Sequence, residues 1–193
     1  GGGAAGGGIY SVGGAGHPAS SSTINQSTIS GNRISGLFAY GAGVYSDGGS
    51  IGNRKTLRLT NSTIARNVVE PAPGLPAFLL GMGYWRGGGV YMSNGYLAIK
   101  SCTIVENEVR GVARTDSLGR QNLAGGVAAT VGNAHAVEDL IVGSSIIAGN
   151  TVQEIGGNRY DQDIFTGSLF YFRSAGYNRI GVLDFSQILV PVG

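Results

Sequence analysis

Ser62-Thr63-Ile64-Ala65-Arg66-Asn67 decides the fold, because the chain repeats it three more times. The counterparts are Ser27-Thr28-Ile29-Ser30-Gly31-Asn32, Cys102-Thr103-Ile104-Val105-Glu106-Asn107 and Ser145-Ile146-Ile147-Ala148-Gly149-Asn150. Two residues after each Asn stands a β-branched side chain: Ile34, Val69, Val109 and Val152. A second motif alternates with the first, as Gly7-Gly8-Ile9-Tyr10, Ala42-Gly43-Val44-Tyr45, Gly88-Gly89-Val90-Tyr91 and Gly125-Gly126-Val127-Ala128. From Ile9 to Ile29, Val44 to Ile64 and Val127 to Ile147 the step is 20 residues, and from Val90 to Ile104 it is 14.

Short β-branched stretches with Gly and Asn at the corners, and no helical periodicity, describe strands that stack repeat upon repeat. The spacing therefore predicts an all-β, single-stranded right-handed parallel β-helix, a β-solenoid of about eight or nine coils of roughly 20 residues, with two inserted loops and spanning 1–193 as one domain. Stacked coils lie about 4.8 Å apart and bring equivalent positions into columns. Ile29, Ile64, Ile104 and Ile147 are expected to face inward, with Ile9, Val44, Val90 and Val127 in the matching column of the alternate coils. Asn32, Asn67, Asn107 and Asn150 form a structural column, since an inward Asn at a corner can bond the turn backbone, tolerate a left-handed conformation and stack on its neighbour. Cys102 takes the place of Ser27, Ser62 and Ser145 and reads as a small semi-buried filler.

Composition agrees. Of 193 residues 36 are glycine, against a usual share of about 7%, which argues against helices. The hydrophobic content of 42% is enough for a buried core. Thirteen Lys and Arg against 11 Asp and Glu leave a net charge of +2, and the basic residues are scattered, so no nucleic-acid footprint is seen. No apolar run approaches the roughly 20 residues of a membrane span, and one cysteine supports no intrachain disulfide.

With these two motifs the chain resembles bacterial right-handed parallel β-helix repeat proteins, secreted or surface-anchored, adhesin-like or autotransporter-passenger-like. Asp163-Ile164-Phe165-Thr166-Gly167 and Ala175-Gly176-Tyr177-Asn178-Arg179-Ile180-Gly181 extend the resemblance into the C-terminal part. It implies an extracellular or cell-surface structural or adhesive module, either a segment of a longer chain or a subunit that stacks end to end through its end coils. The fold itself also serves polysaccharide lyases and glycoside hydrolases, so function has to be argued from a site.

Two insertions interrupt the regular unit. Residues 68–86 carry three of the five prolines and Trp85, the only Trp; residues 110–122 carry Arg110, Arg114, Asp116 and Arg120. Both are expected to leave the same corner two coils apart, with roots about 10 Å from one another. Phe78, Leu79, Leu80, Tyr84 and Trp85 either fold back over a sheet or meet a partner. Arg110 and Arg114 would suit acidic sugars or another carboxylate. Tyr10, Tyr45 and Tyr91 each follow an inward residue, so they should point outward as a row spaced at about 10 Å, able to stack on the rings of a polysaccharide or host-surface glycan.

Catalysis finds little support. A lyase or hydrolase would need clustered carboxylates, and the weak candidates are Glu106 with Glu108 and Asp161 with Asp163, no adjacent coil supplying a second acidic pair. No cofactor is expected, and His17 and His135 lack partners at metal-ligand spacing.

Overall fold

The computed structural model describes residues 3–12, 20–48, 55–80, 82–112, 124–130, 138–167 and 170–185. The strands follow one another in layers. The first is β1 (Gly3–Ala5), β2 (Ile9–Val12), β3 (Ser21–Asn25), β4 (Thr28–Ser30) and β5 (Arg33–Gly36). The second is β6 (Phe38–Tyr40), β7 (Val44–Asp47), β8 (Thr56–Thr60), β9 (Thr63–Ala65) and β10 (Val68–Pro71). After a single helical turn, α1 (Ala77–Leu80), come β11 (Tyr84–Arg86), β12 (Val90–Ser93), β13 (Tyr96–Lys100), β14 (Thr103–Val105) and β15 (Glu108–Val112). The fourth layer is β16 (Val127–Thr130), β17 (Glu138–Gly143), β18 (Ile146–Ala148) and β19 (Thr151–Glu154). The last described strands are β20 (Arg159–Asp161), β21 (Ile164–Thr166), β22 (Phe170–Ser174), β23 (Arg179–Ile180) and β24 (Leu183–Phe185).

The first three layers each add one strand to each of five sheets, and the fourth adds one to each of four of them. Among the described residues the sheet orders are β1-β6-β11, β2-β7-β12-β16-β21-β24, β3-β8-β13-β17-β22, β4-β9-β14-β18-β23 and β5-β10-β15-β19-β20. Pairing is parallel except between β19 and β20. This is an all-β stack of parallel sheets, compatible with a β-solenoid.

The register corrects the expected unit. Ile29, Ile64 and Ile104 are direct partners on neighbouring strands, and so are Ile9, Val44 and Val90. Equivalent residues in bonded strands are thus 35, 40 and 43 positions apart in the Asn column, about twice the expected 20. The two motifs lie on different sheets of one layer, not in alternate coils. Alternation and corner residues mark strand length, whereas the residues per layer depend on the width of the cross-section the chain must enclose.

That cross-section holds two cores. Ile29, Ile64, Ile104 and Ile147 pack with Val44, Val90, Val127, Leu57, Leu97 and Leu140 in the larger one. Val69, Val109, Val152, Ala39, Ala42 and Trp85 form the smaller. Between the two runs the Asn column. Asn67 donates from its backbone N–H and its Nδ2 to Asn107 Oδ1 at 3.0 and 2.9 Å, and Nδ2 also donates to the Ile29 carbonyl at 3.0 Å. Asn32, Asn107 and Asn150 each donate to the next member in the same way. Asp163 receives Asn150 on Oδ1 and the Val182 N–H on Oδ2, and a carboxylate with no N–H has nothing to pass on.

The second glycine of the other motif meets this ladder. A Cβ on Gly43 would sit 3.0 Å from Asn67 Nδ2, and one on Gly89 3.0 Å from Asn107 Nδ2 and 2.7 Å from the Gly126 carbonyl. The two motifs recur together because they touch. The left-handed residue at this corner is the one before each Asn: Gly31, Arg66, Glu106 and Gly149, with φ of 69, 57, 56 and 67°. The Asn is therefore not itself left-handed, and its side chain bonds along the stack.

Cys102 occupies the Ser column as expected of a filler. Its N–H donates to Ser145 Oγ at 3.1 Å and its thiol to the Lys100 carbonyl at 3.2 Å, repeating what Ser62 Oγ does with Thr60. Burial pushes its thiol pKa up, which makes it inert. Cys102→Ser should change urea-unfolding stability by less than about 1 kcal/mol. Asn107→Ala should cost about 3 kcal/mol or more in the same assay, because it strands the buried Asn67 and Asn150 groups as well as the Ile64 carbonyl.

Candidate aromatic binding face

Outward side chains of two neighbouring sheets meet at one corner. In the sheet of β2, β7 and β12, Tyr10, Tyr45 and Tyr91 are in register on directly bonded strands, so the row expected on every second coil is continuous. Ring centroids are 5.1 Å apart for Tyr10 and Tyr45, stacked and nearly parallel at 9°, and 5.7 Å for Tyr45 and Tyr91. Beside it, β6 and β11 align Phe38 with Tyr84 and Tyr40 with Arg86. The Phe38 and Tyr84 rings stack at 5.9 Å, and the Arg86 guanidinium lies 4.9 Å over the Tyr84 ring.

Tyr40 joins the two rows, with its ring 5.1 Å from Tyr91 and 6.3 Å from Tyr45. Rings on the outer faces of adjacent sheets can touch only where the surface bends inward, so this corner is re-entrant. Gly41 makes the bend, at φ 61°, where a Cβ would lie 2.3 Å from the Val44 carbonyl oxygen. Gly6 and Gly87 turn the neighbouring layers at φ 64 and 61°.

Access is uneven across the face. Tyr10 is 61% and Tyr84 43% exposed, Phe38, Tyr40 and Tyr45 are half-buried, and Tyr91 is only 5% exposed, packed with Ala124, Ala128 and Phe165. Tyr91 therefore offers no ring face and serves as a base: its hydroxyl lies 2.7 Å from Thr130 Oγ1 and accepts from Arg86 at 3.3 Å. Among the described residues Arg86 has no carboxylate partner, its positive charge being held by aromatic rings. Burial first, then Asp47, raises the Tyr45 pKa, and Tyr45 donates its O–H to Asp47 at 3.4 Å. Burial raises the Tyr40 pKa as well, opposed by Arg86.

The remaining expected site residues are elsewhere or engaged. Trp85 is fully buried in the smaller core and donates its indole N–H to the Gly36 carbonyl at 3.0 Å, so it cannot stack on a ligand. The 68–86 insertion folds back through Leu75, Leu80 and Trp85, leaving Phe78 and Met82 exposed. The two insertions begin from β10 and β15, which are direct neighbours rather than two layers apart. Arg110 lies 2.6 Å from Glu108 and 3.9 Å from Glu70 and is committed to them; the Glu108 hydrogen bond raises its pKa. Arg114, His17 and His135 lie outside the described residues.

The carboxylates do not assemble as pairs. Glu106 is exposed and bonded to Arg66, whereas Glu108 is buried between Arg110 and Arg159. Asp163 is fully buried at the end of the Asn ladder, and Asp161 is exposed on β20. The i, i+2 spacing does not put either pair on one face, because a corner stands between the two members. The motifs do not single out Phe38, Tyr40 or Arg86 as functional, although each sits at a constant offset before the Gly-containing motif. That alignment is the signal that finds them.

Comparison with known protein families, curated proteins and solved structures finds no match to this chain. Among the described residues no helix is long and apolar enough to cross a membrane.

Two outcomes follow from the geometry. Trp85→Ala should destabilise the protein by about 3–5 kcal/mol in chemical unfolding, as removal of a large core side chain does. The raised pKa values of Tyr40 and Tyr45 favour the folded state fully below the unfolded phenol value of about 10, and that stability is lost as pH rises from there toward their folded values. Absorbance titration should show late-ionising tyrosines, and Asp47→Asn should bring Tyr45 back toward the usual range.

Proposed function

We propose that this chain is an extracellular or cell-surface β-solenoid with an adhesive role, a right-handed parallel β-helix whose coil contains both motifs and whose re-entrant aromatic corner grips an extended glycan. The observation that carries the reading is the ring cluster of Tyr10, Tyr45, Tyr40, Phe38 and Tyr84, which continues across three layers. Right-handedness rests on the general hand of crossovers between parallel strands of one sheet. Rigid rings presented at low entropy cost are the usual partners of sugar faces, and spacing along the stack suits a polymer better than a single residue. Arg86, a cation without a carboxylate partner among the described residues, favours acidic sugars. The same stack also serves as a spacer, since every layer is bonded to the next.

Calorimetry or array binding with neutral and acidic oligosaccharides tests this. Tyr10→Ala and Tyr84→Ala should each weaken binding by roughly 5-fold, the equivalent of about 1 kcal/mol of ring stacking. Arg86→Gln should remove any preference for the acidic ligands. A folded protein that binds no oligosaccharide in a broad panel would overturn the glycan reading.

A further inference from the structure

The larger core is aliphatic along most of its length and changes character at the first layers. Inward positions held by Met92 and Ala129 in later layers are Ser11 in β2 and Ser46 in β7, and the position of Leu57, Leu97 and Leu140 is Ser22 in β3. Lys55, only 3% exposed, reaches into the same place, its Nζ hydrogen-bonded to Ser11 Oγ. Ser11 Oγ lies 3.1 Å from Ser22 Oγ. Ser46 stands beside Ser11 in register, fully buried, and its hydroxyl has no hydrogen-bond partner among the described residues. An unsatisfied buried hydroxyl is costly unless something else uses it.

We propose that Ser11 is a nucleophile served by Lys55 as its general base, forming a site for acyl esters at the β2–β3 end of the stack. Among the described residues β2 and β3 are edge strands and Ser11 is only half-buried, which leaves its Oγ open to a carbonyl group. Ser11 Oγ bonds to the carbonyl carbon while its proton passes to Lys55 Nζ. The bond from that carbon to the leaving alkoxide then breaks, and the alkoxide takes the proton. Water attacks the Ser11 ester in the reverse sense, giving its proton to Lys55, and releases the acid and the free hydroxyl. Ser22 and Ser46 supply O–H groups beside the developing oxyanion. Burial lowers the Lys55 pKa, opposed by the charge of Asp47, and a lysine acts as a base only when part of it is neutral. The proposal uses none of the residues of the aromatic face, so its failure leaves the glycan reading untouched.

The test is a fluorophosphonate probe, whose fluoride plays the part of the leaving group, added to the whole folded protein and followed by peptide mass mapping. One adduct per chain on Ser11 is expected, none on Ser11→Ala, and none on heat-denatured protein. Lys55→Met should slow labelling by at least about 100-fold, the share a general base supplies. Lys55→Arg keeps the charge without the basicity and should lose as much, which separates loss of the base from loss of folding. No adduct, an adduct at another serine, or full labelling of the folded Lys55→Arg protein would overturn the proposal and leave the cluster a polar patch in the first layers of the core.

Discussion

The contact between the Asn side chains and the second glycine of the companion motif sets the terms for the rest of the fold. Asn67, Asn107 and Asn150 are fully buried beside the two cores, where an unpaired amide would be expensive, and each is satisfied by the next member of the ladder and by the carbonyl of an Ile one layer back. The backbone opposite must come within contact of the Nδ2 group, which leaves no room for a Cβ at Gly43 or Gly89. Because every bond in this ladder crosses from layer to layer, it holds the register of all the sheets at once. A slip by one residue would orphan the whole column.

From that waist the surface chemistry follows. The smaller core needs Ala39 and Trp85 pointing inward, and alternation then sends Phe38, Tyr40, Tyr84 and Arg86 outward. The larger core needs Val44 and Val90, which sends Tyr45 and Tyr91 outward beside them. The tight turn at Gly41 brings the two outward sets face to face. The aromatic face is thus a by-product of two cores meeting at one corner, held rigid by both.

Acidic and basic residues are distributed to a different end. Arg33, Glu70, Arg110, Glu108 and Arg159 alternate in sign across the sheet of β5, β10, β15, β19 and β20, neutralising one another. The clearer effect of this alternation is to keep like charges from facing one another across bonded strands. Asp163 ends the Asn ladder with a group that only accepts, and beside it β20 pairs antiparallel with β19.

By itself the sequence determined which residues are equivalent. The columns of Ile, Asn, Ser and Gly read from the motifs are the columns of the structure, because stacked parallel strands demand the same residue type at the same place in every layer. It also determined that Tyr10, Tyr45 and Tyr91 turn away from the core, since a strand alternates. Tertiary structure alone decided that the two motifs share one layer on different sheets and do not alternate from coil to coil, because closure depends on the two-core cross-section. It decided as well that Trp85 is core, that Tyr40 bridges two rows, that the acidic pairs are split, and that Lys55 meets Ser11. Each of these joins strands on different sheets, and strand periodicity carries no information about the angle between sheets.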